Sequence, residues 1–299
     1  MDLVGSGAEV SRIPQQSRTA GVLFDRLFDD AAIFPPGRAP MPEAVVDHLA
    51  RRHSPIGRYV GPFVCAGPRW SELTTALSDR AVGELPLDVA LTVPAGLPEL
   101  ASSLAAGDCE GRATVVSVEL PLMTSSPREL FEVRSLLPEG VTAYVELGTH
   151  TVDEGLISGL AAAGLRLKVR TGGLAAADFP SEDQLARFID RAASHGVPFK
   201  FTAGLHHAVR HTDAVTGFEH HGFLNVLLAT AASLGGADWE RVRGLLAERD
   251  AARVGTAVSE LSSELAAAVR GHFCSFGTCS IEEPLADLVD LRLVREIAE

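Results

Sequence analysis

Two segments, GLRLKVRTGG (164–173) and GVPFKFTAGLHH (196–207), flank the run LAAADFPSEDQLARFIDRAASH (174–195). In each flanking segment polar and apolar residues alternate, as in a strand, and a glycine turn follows. Between them, SEDQ starts a helix: Ser181 suits the cap, and acids fill the first turn. Strand, helix, strand in this order predicts two parallel strands joined by a helical crossover. The same two strands hold the protein's only lysines, Lys168 and Lys200, while the other 24 of its 26 basic residues are arginine. Arginine keeps its proton at any working pH, whereas a lysine amine can lose its proton when buried or placed beside a cation. A neutral amine is a nucleophile that forms Schiff bases with carbonyls. The competing explanation is compositional, since an arginine-biased chain has few lysines anywhere.

The unit repeats outward along the chain. Strands are predicted in GRYVGPFVCAG (57–67), LPLDVALTVPAG (85–96), RATVVSVELPL (112–122), GVTAYVELG (140–148) and HFCSFGTCS (272–280). AAIF (31–34) supplies a short first strand and brings the number to eight. Helices are predicted between these strands, along FLNVLLATAASLGG, ADWERVRGLLAERD and 251–270, and in EEPLADLVDLRLVREIAE at the end of the sequence. The expected architecture is a single α/β (β/α)8 TIM barrel of parallel strands. A His-rich loop and extra helices are inserted before its last strand. The barrel spans 19–299, and 1–18 reads as a flexible polar tail. An open doubly wound sheet is the alternative, but no GxGxxG follows an early strand.

A net charge of −13 argues against nucleic acid and anionic membrane as partners. No stretch of about 20 apolar residues predicts a membrane span. Four cysteines without a CxxC pair suggest a reducing, cytoplasmic setting. The expected partner is a small-molecule substrate, and self-association is left open.

In such barrels the site lies at the C-terminal strand ends. Alternation puts Lys168 with Arg170, Lys200 with Thr202, Asp88 with Thr92, Ser117 with Glu119, and Tyr144 with Glu146 on shared faces. The polar faces are expected to converge in the mouth. Two neighbouring cations should lower each other's pKa, making one lysine a nucleophile and the other its activator. Glu119 or Glu146 would shuttle protons. Thr171, Gly172 and Gly173 after Arg170, Gly204, and Gly277 near Cys279 and Ser280 form turns whose N–H groups can face an anion. Thr202, His206 and His207 complete the expected substrate contacts.

These motifs, in this order, resemble deoxyribose-phosphate aldolase, a class I aldolase barrel, along most of the chain. FDDAAIFPPG with PEAVVDHLA is similar to that family's opening strand and first helix, and YVGPFVCAGPRWSEL to its second strand. LKVRTGG resembles the strand bearing the Schiff-base lysine, which implies Lys168 as nucleophile. FKFTAGLHH resembles the next strand, which implies that Lys200 tunes it, and FGTCS resembles the last phosphate-binding turn. The resemblance implies a lyase acting on a small carbonyl or sugar-like substrate, with no organic cofactor required. The sequence also departs from the family. Its catalytic aspartate falls at Ser117, with Glu119 two positions on, and its Gly-Gly after the second lysine is Ala203–Gly204. His206 and His207 replace the basic residue that follows. These differences fit a divergent branch.

Two other readings remain open. His207, His211, His220 and His221, completed by Asp29, Asp30, Asp213 or Glu219, have residue types that bind a divalent metal, which would make a metal-dependent hydrolase, lyase or isomerase. A non-catalytic ligand-binding barrel would instead pair its lysines with Glu119 and Glu146 and fill its mouth.

Overall fold

The barrel strands are β1 (Phe28–Asp30), β2 (Val60–Ala66), β3 (Leu87–Thr92), β4 (Ala113–Pro121), β5 (Thr142–Leu147), β6 (Arg166–Arg170), β7 (Phe199–Thr202) and β10 (Phe273–Thr278). A separate ladder of two short antiparallel strands, β8 (His211–Thr212) and β9 (Glu219–His220), lies between β7 and β10. The computed structural model describes residues 15–78, 86–107, 111–122, 126–148 and 152–295. In it the eight strands are parallel, each beside its neighbour in sequence, and β10 closes the ring against β1. This is the (β/α)8 barrel expected from the strand–helix alternation.

The helices are α1 (Gln15–Leu23), α2 (Met41–Arg52), α3 (Trp70–Ala76), α4 (Leu97–Ala106), α5 (Pro127–Leu136), α6 (Glu154–Ala163), α7 (Glu182–Ser194), α8 (Phe223–Leu234), α9 (Trp239–Ala247), α10 (Ala251–Ser259), α11 (Ser263–His272) and α12 (Glu282–Asp290). The SEDQ signal is a capping box. Gln184 N–H donates to Ser181 Oγ at 3.2 Å, and Ser181 N–H donates to Gln184 Oε1 at 2.8 Å. α7 then buries Leu185, Ala186, Phe188, Ile189 and Ala192, a stripe at helical spacing. No helix of the described residues is long and apolar enough to cross a membrane.

Strand β7 shows how alternation sorts the barrel. Phe199 and Phe201 point outward and meet Phe188 of α7 at ring-centroid distances of 5.2 and 5.7 Å. Phe273 and Phe276 of β10 extend the same aromatic layer to Phe223 of α8. Burying each such ring stabilises the fold by about 1.5–3 kcal/mol. Lys200, between the two outward phenylalanines, is thereby turned inward.

Two expectations need correction. The first strand is FDD, not AAIF. Asp30 Oδ1 accepts the Ala32 N–H at 3.1 Å and Phe34 N–H bonds Ala31 O at 2.9 Å, so the chain turns where a strand was expected. The helical run 251–270 is two helices, because Ser262 caps a new start by accepting from Leu265 N–H at 3.1 Å. α1 begins at Gln15, and residues 1–14 of the expected tail lie outside the described residues.

Candidate active site

Strand register brings the charged residues together. Glu146 of β5 lies opposite Lys168 of β6, and Lys168 lies opposite Lys200 of β7. Glu119 of β4, opposite Tyr144 of β5, reaches across to both lysines. Lys168 Nζ is 2.7 Å from Glu119 Oε2 and 2.8 Å from Glu146 Oε2. Lys200 Nζ is 2.5 Å from Glu119 Oε1 and also donates to Asp29 Oδ2. Ser275 Oγ donates to that same Asp29 oxygen at 2.7 Å. The result is one chain of groups running from the barrel axis to the rim: Asp29, Lys200, Glu119, Lys168, Glu146.

Electrostatics differ along this chain. Burial would raise the Glu119 carboxyl, but the charges of Lys168 and Lys200 and their hydrogen bonds outweigh it and hold it at about 2. Burial would likewise lower Lys200, yet Asp29 and Glu119 push it above the ordinary lysine value. Lys200 therefore keeps its proton, contrary to the expectation that it would be lowered by its neighbour, because Glu119 stands between the two cations. Burial raises Asp29 despite Lys200, and its Oδ1 has no hydrogen-bond partner among the described residues. The Tyr144 ring lies under the Lys200 ammonium at 5.2 Å, a further contact favouring the cation.

Above this chain opens a cavity of about 400 Å³. Glu119, Glu146, Lys168 and Lys200 form its floor and one wall, and Arg170, Thr202, Gly277, His206 and Cys279 are on its lining. Arg170 is mostly exposed, 3.6 Å from Glu146. His206 Nδ1 is 2.9 Å from Glu283 and 4.0 Å from the Cys279 thiol; the thiol first, and Glu283 with it, raise its pKa above the usual histidine value against burial, which lowers it. Both lysines are paired as the non-catalytic barrel predicts, while the mouth is open where that reading expects it filled.

Several expected contacts lie elsewhere. Thr171 is buried and donates its hydroxyl to Ala203 O, tying the ends of β6 and β7 together. Gly172 and Gly204 pack backbone to backbone. A Cβ on Gly204, whose φ is +80°, would stand 2.5 Å from Thr171 O, so this position requires glycine. Ser280 Oγ accepts from Glu283 N–H at 3.2 Å, at the start of α12. His207 bonds Asp287 at 3.2 Å on the surface side. Asp88 is held by Arg26 and Arg52, away from the mouth.

The histidines do not converge. The rings of His207, His211 and His220 pack on one another at 4.7 and 5.2 Å. His221 turns inward instead: its Nε2 donates to Pro180 O at 2.7 Å and its Nδ1 accepts from Arg210 at 3.2 Å. Asp213 caps its own turn at Val215 and Thr216, and Glu219 is taken by Arg210 and Arg249. Asp30 holds His48 and Arg51. Among the described residues no three His, Cys, Asp or Glu are grouped to hold a metal ion.

The sequence reading gave Asp29 no part in the lysine network, and it did not single out Ser275. Had β1 been placed on FDD, alternation would have turned Asp29 inward and Asp30 out.

No protein family model matches the chain, and no curated protein matches it. Among solved structures, a crystal structure from Coccidioides immitis provisionally named a fructose-1,6-biphosphate aldolase is similar at 11% identity and a TM-score of 0.37. The match covers 89% of this chain and 96% of that one. At that level of similarity the fold assignment rests on the strand topology of this chain alone.

Proposed function

We propose that the mouth is the active site of a Schiff-base lyase, in which Lys168 forms an imine with a small carbonyl substrate and a carbon–carbon bond is then broken or made. The observation that carries this reading is the contrast between two adjacent lysines. Both lysines border the cavity and both touch Glu119, but the second partner of Lys200 is the buried Asp29, whereas the second partner of Lys168 is Glu146, which reaches solvent. An amine attacks a carbonyl only when neutral. Glu146 is placed to take the Lys168 proton and return one to the carbinolamine oxygen, which leaves as water. Glu119, ionised and engaged by both lysines, serves as the fixed anion of the site. Lys200 is its fixed cation. The protonated imine then accepts the electron pair of the breaking carbon–carbon bond and becomes an enamine, while the hydroxyl on the departing carbon gives its proton to the Glu146 carboxylate and becomes a carbonyl. Arg170, half out of the mouth, gives an anionic or polyhydroxy substrate a partner. This scheme needs no organic cofactor, and the free thiols Cys65, Cys274 and Cys279 agree with the proposed cytoplasmic setting.

Borohydride reduction in the presence of small aldehydes and 2-keto acids tests the reading, with the adduct located by peptide mass spectrometry. An adduct on Lys168, absent from Lys168→Arg, is expected. Adducts confined to Lys200, or to neither lysine, would overturn it.

A further inference from the structure

The barrel has a second opening. A cavity of about 360 Å³ lies at the N-terminal ends of the strands, opposite the mouth, and reaches up to Asp29, Ser275 and Lys200. Its charged lining is Asp25, Arg26, Asp29, Arg166, Lys200 and Arg270. Most of these charges are cancelled. Arg26 pairs with Asp88 at 2.7 Å, and Lys200 pairs with Asp29 and Glu119. Arg166 and Arg270 are different. Arg166 donates only to uncharged groups, the Tyr144 hydroxyl at 3.1 Å and the Cys274 thiol at 3.6 Å. Arg270 donates to two backbone carbonyls, Phe273 O at 2.5 Å and Asp25 O at 2.9 Å. Neither makes an ion pair among the described residues, and the exposed Asp25 carboxylate on the rim makes none either.

Arg166 and Arg270 are thus half-buried guanidinium groups with no carboxylate in ion-pair contact among the described residues, in a chain whose net charge is −13. Comparable arginines are paired: Arg210 with Glu182 and Glu219, and Arg51 with Asp30 and Glu282. A cation removed from water needs a partner. Arginine's planar fork suits an oxyanion held through two parallel hydrogen bonds. Ser117 and Thr142 add hydroxyls to the same wall.

We propose that this lower cavity binds a small oxyanion of the phosphate class, free or carried on a small metabolite, between Arg166 and Arg270. The site is separate from the mouth and stands whether or not Lys168 forms an imine. It is joined to the mouth through Ser275, Asp29 and Lys200, so its occupancy is felt by the group that holds Lys200 in place.

Each cavity has its own half-exposed thiol, Cys274 below and Cys279 above, while Cys65 is buried. The experiment follows the rate of iodoacetamide alkylation at each cysteine of the full chain by peptide mass spectrometry. Inorganic phosphate is titrated against potassium chloride of equal ionic strength. With phosphate at ten times its dissociation constant about one site in eleven is empty, so alkylation of Cys274 is expected to slow about tenfold. The rate at Cys279 is expected to stay unchanged. In Arg166→Gln the protection of Cys274 should be lost. If that variant does not fold, Ser117→Glu, which places a carboxylate in the cavity, should abolish protection as well. Slowing at Cys279 alone, slowing at neither thiol, or protection that survives both substitutions would overturn the assignment.

Discussion

Lys168 and Lys200 face each other across one ladder of the barrel, share one carboxylate, and are nonetheless in opposite situations. Lys200 is 2% exposed and has an anion on each side, Asp29 and Glu119, with Tyr144 beneath it. Lys168 is 7% exposed, and its second partner, Glu146, is 27% exposed at the cavity wall. The floor of the mouth is a closed ionic core, and its rim is an ionic pair in contact with solvent. Two residues of one type, two strand positions level with each other, thus acquire different chemistry from the depth of their partners. A buried cation between buried anions keeps its proton and fixes geometry.

The largest effect is therefore expected on the floor. Lys200→Met leaves Asp29 and Glu119 buried without their shared cation, and breaking a buried pair in this way costs about 3–5 kcal/mol. Lys168→Met should cost less, because Glu119 retains Lys200 and Glu146 retains solvent. Urea denaturation of the two variants measures the difference. Adding Asp29→Asn to Lys200→Met should return part of the loss, since the orphaned charge is removed with its partner. Equal costs for the two lysines, or no recovery in the double variant, would break the distinction between floor and rim.

The convergence of these residues was legible in the sequence, and the reason is alternation, whereas the contrast between the two lysines was not. Lys168, Lys200, Glu119 and Glu146 sit inside strands whose other face is apolar, so a period of two is enough to aim them inward. Asp29 was missed because β1 has only three residues, too few for a period to show, and the apolar AAIF beside it looked more like a strand. Thr171, Gly172, Gly204 and Ser280 were read as substrate contacts. A glycine or serine after a strand marks a turn but does not say which way the turn faces. Here Gly204 is needed for backbone packing against Thr171. The histidines were the weakest inference, since nearness in sequence carries no information about where ring nitrogens point. His221 points into the protein, where burial, then Arg210, keep it down at about 4 against its bond to Pro180.

The shared carboxylate sharpens the comparison through pH. Glu119 is held at about 2 in the fold against 4.5 when free. Its folded pKa is depressed, so its contribution is fully present above pH 4.5 and is lost as pH falls towards 2. Integrated over that window the contribution is roughly 3 kcal/mol. Asp29, raised by burial, works in the opposite sense at the acid end, so wild type alone does not isolate Glu119. The gap in Tm between wild type and Glu119→Gln should be wide at neutral pH and should narrow as pH falls through the window. A gap independent of pH would mean that Glu119 is not the ionised bridge between floor and rim.

Glu146→Gln gives the smallest effect on stability and the sharpest test of the rim. Glu146 contacts solvent, so the loss of its charge should change stability by only about 0–1 kcal/mol. Glutamine nearly matches it in size, and Glu119 still holds Lys168. If Glu146 takes the proton from Lys168, imine formation should nevertheless slow by about a hundredfold, the lower end of what a positioned base contributes. The measurement is the rate of borohydride-trapped adduct on Lys168 in folded Glu146→Gln. A variant that is stable and traps at the wild-type rate would move the proton transfer to water in the cavity, leaving Glu146 a neighbour of the amine without a part in its chemistry. A variant that is strongly destabilised would show instead that rim and floor form one ionic unit.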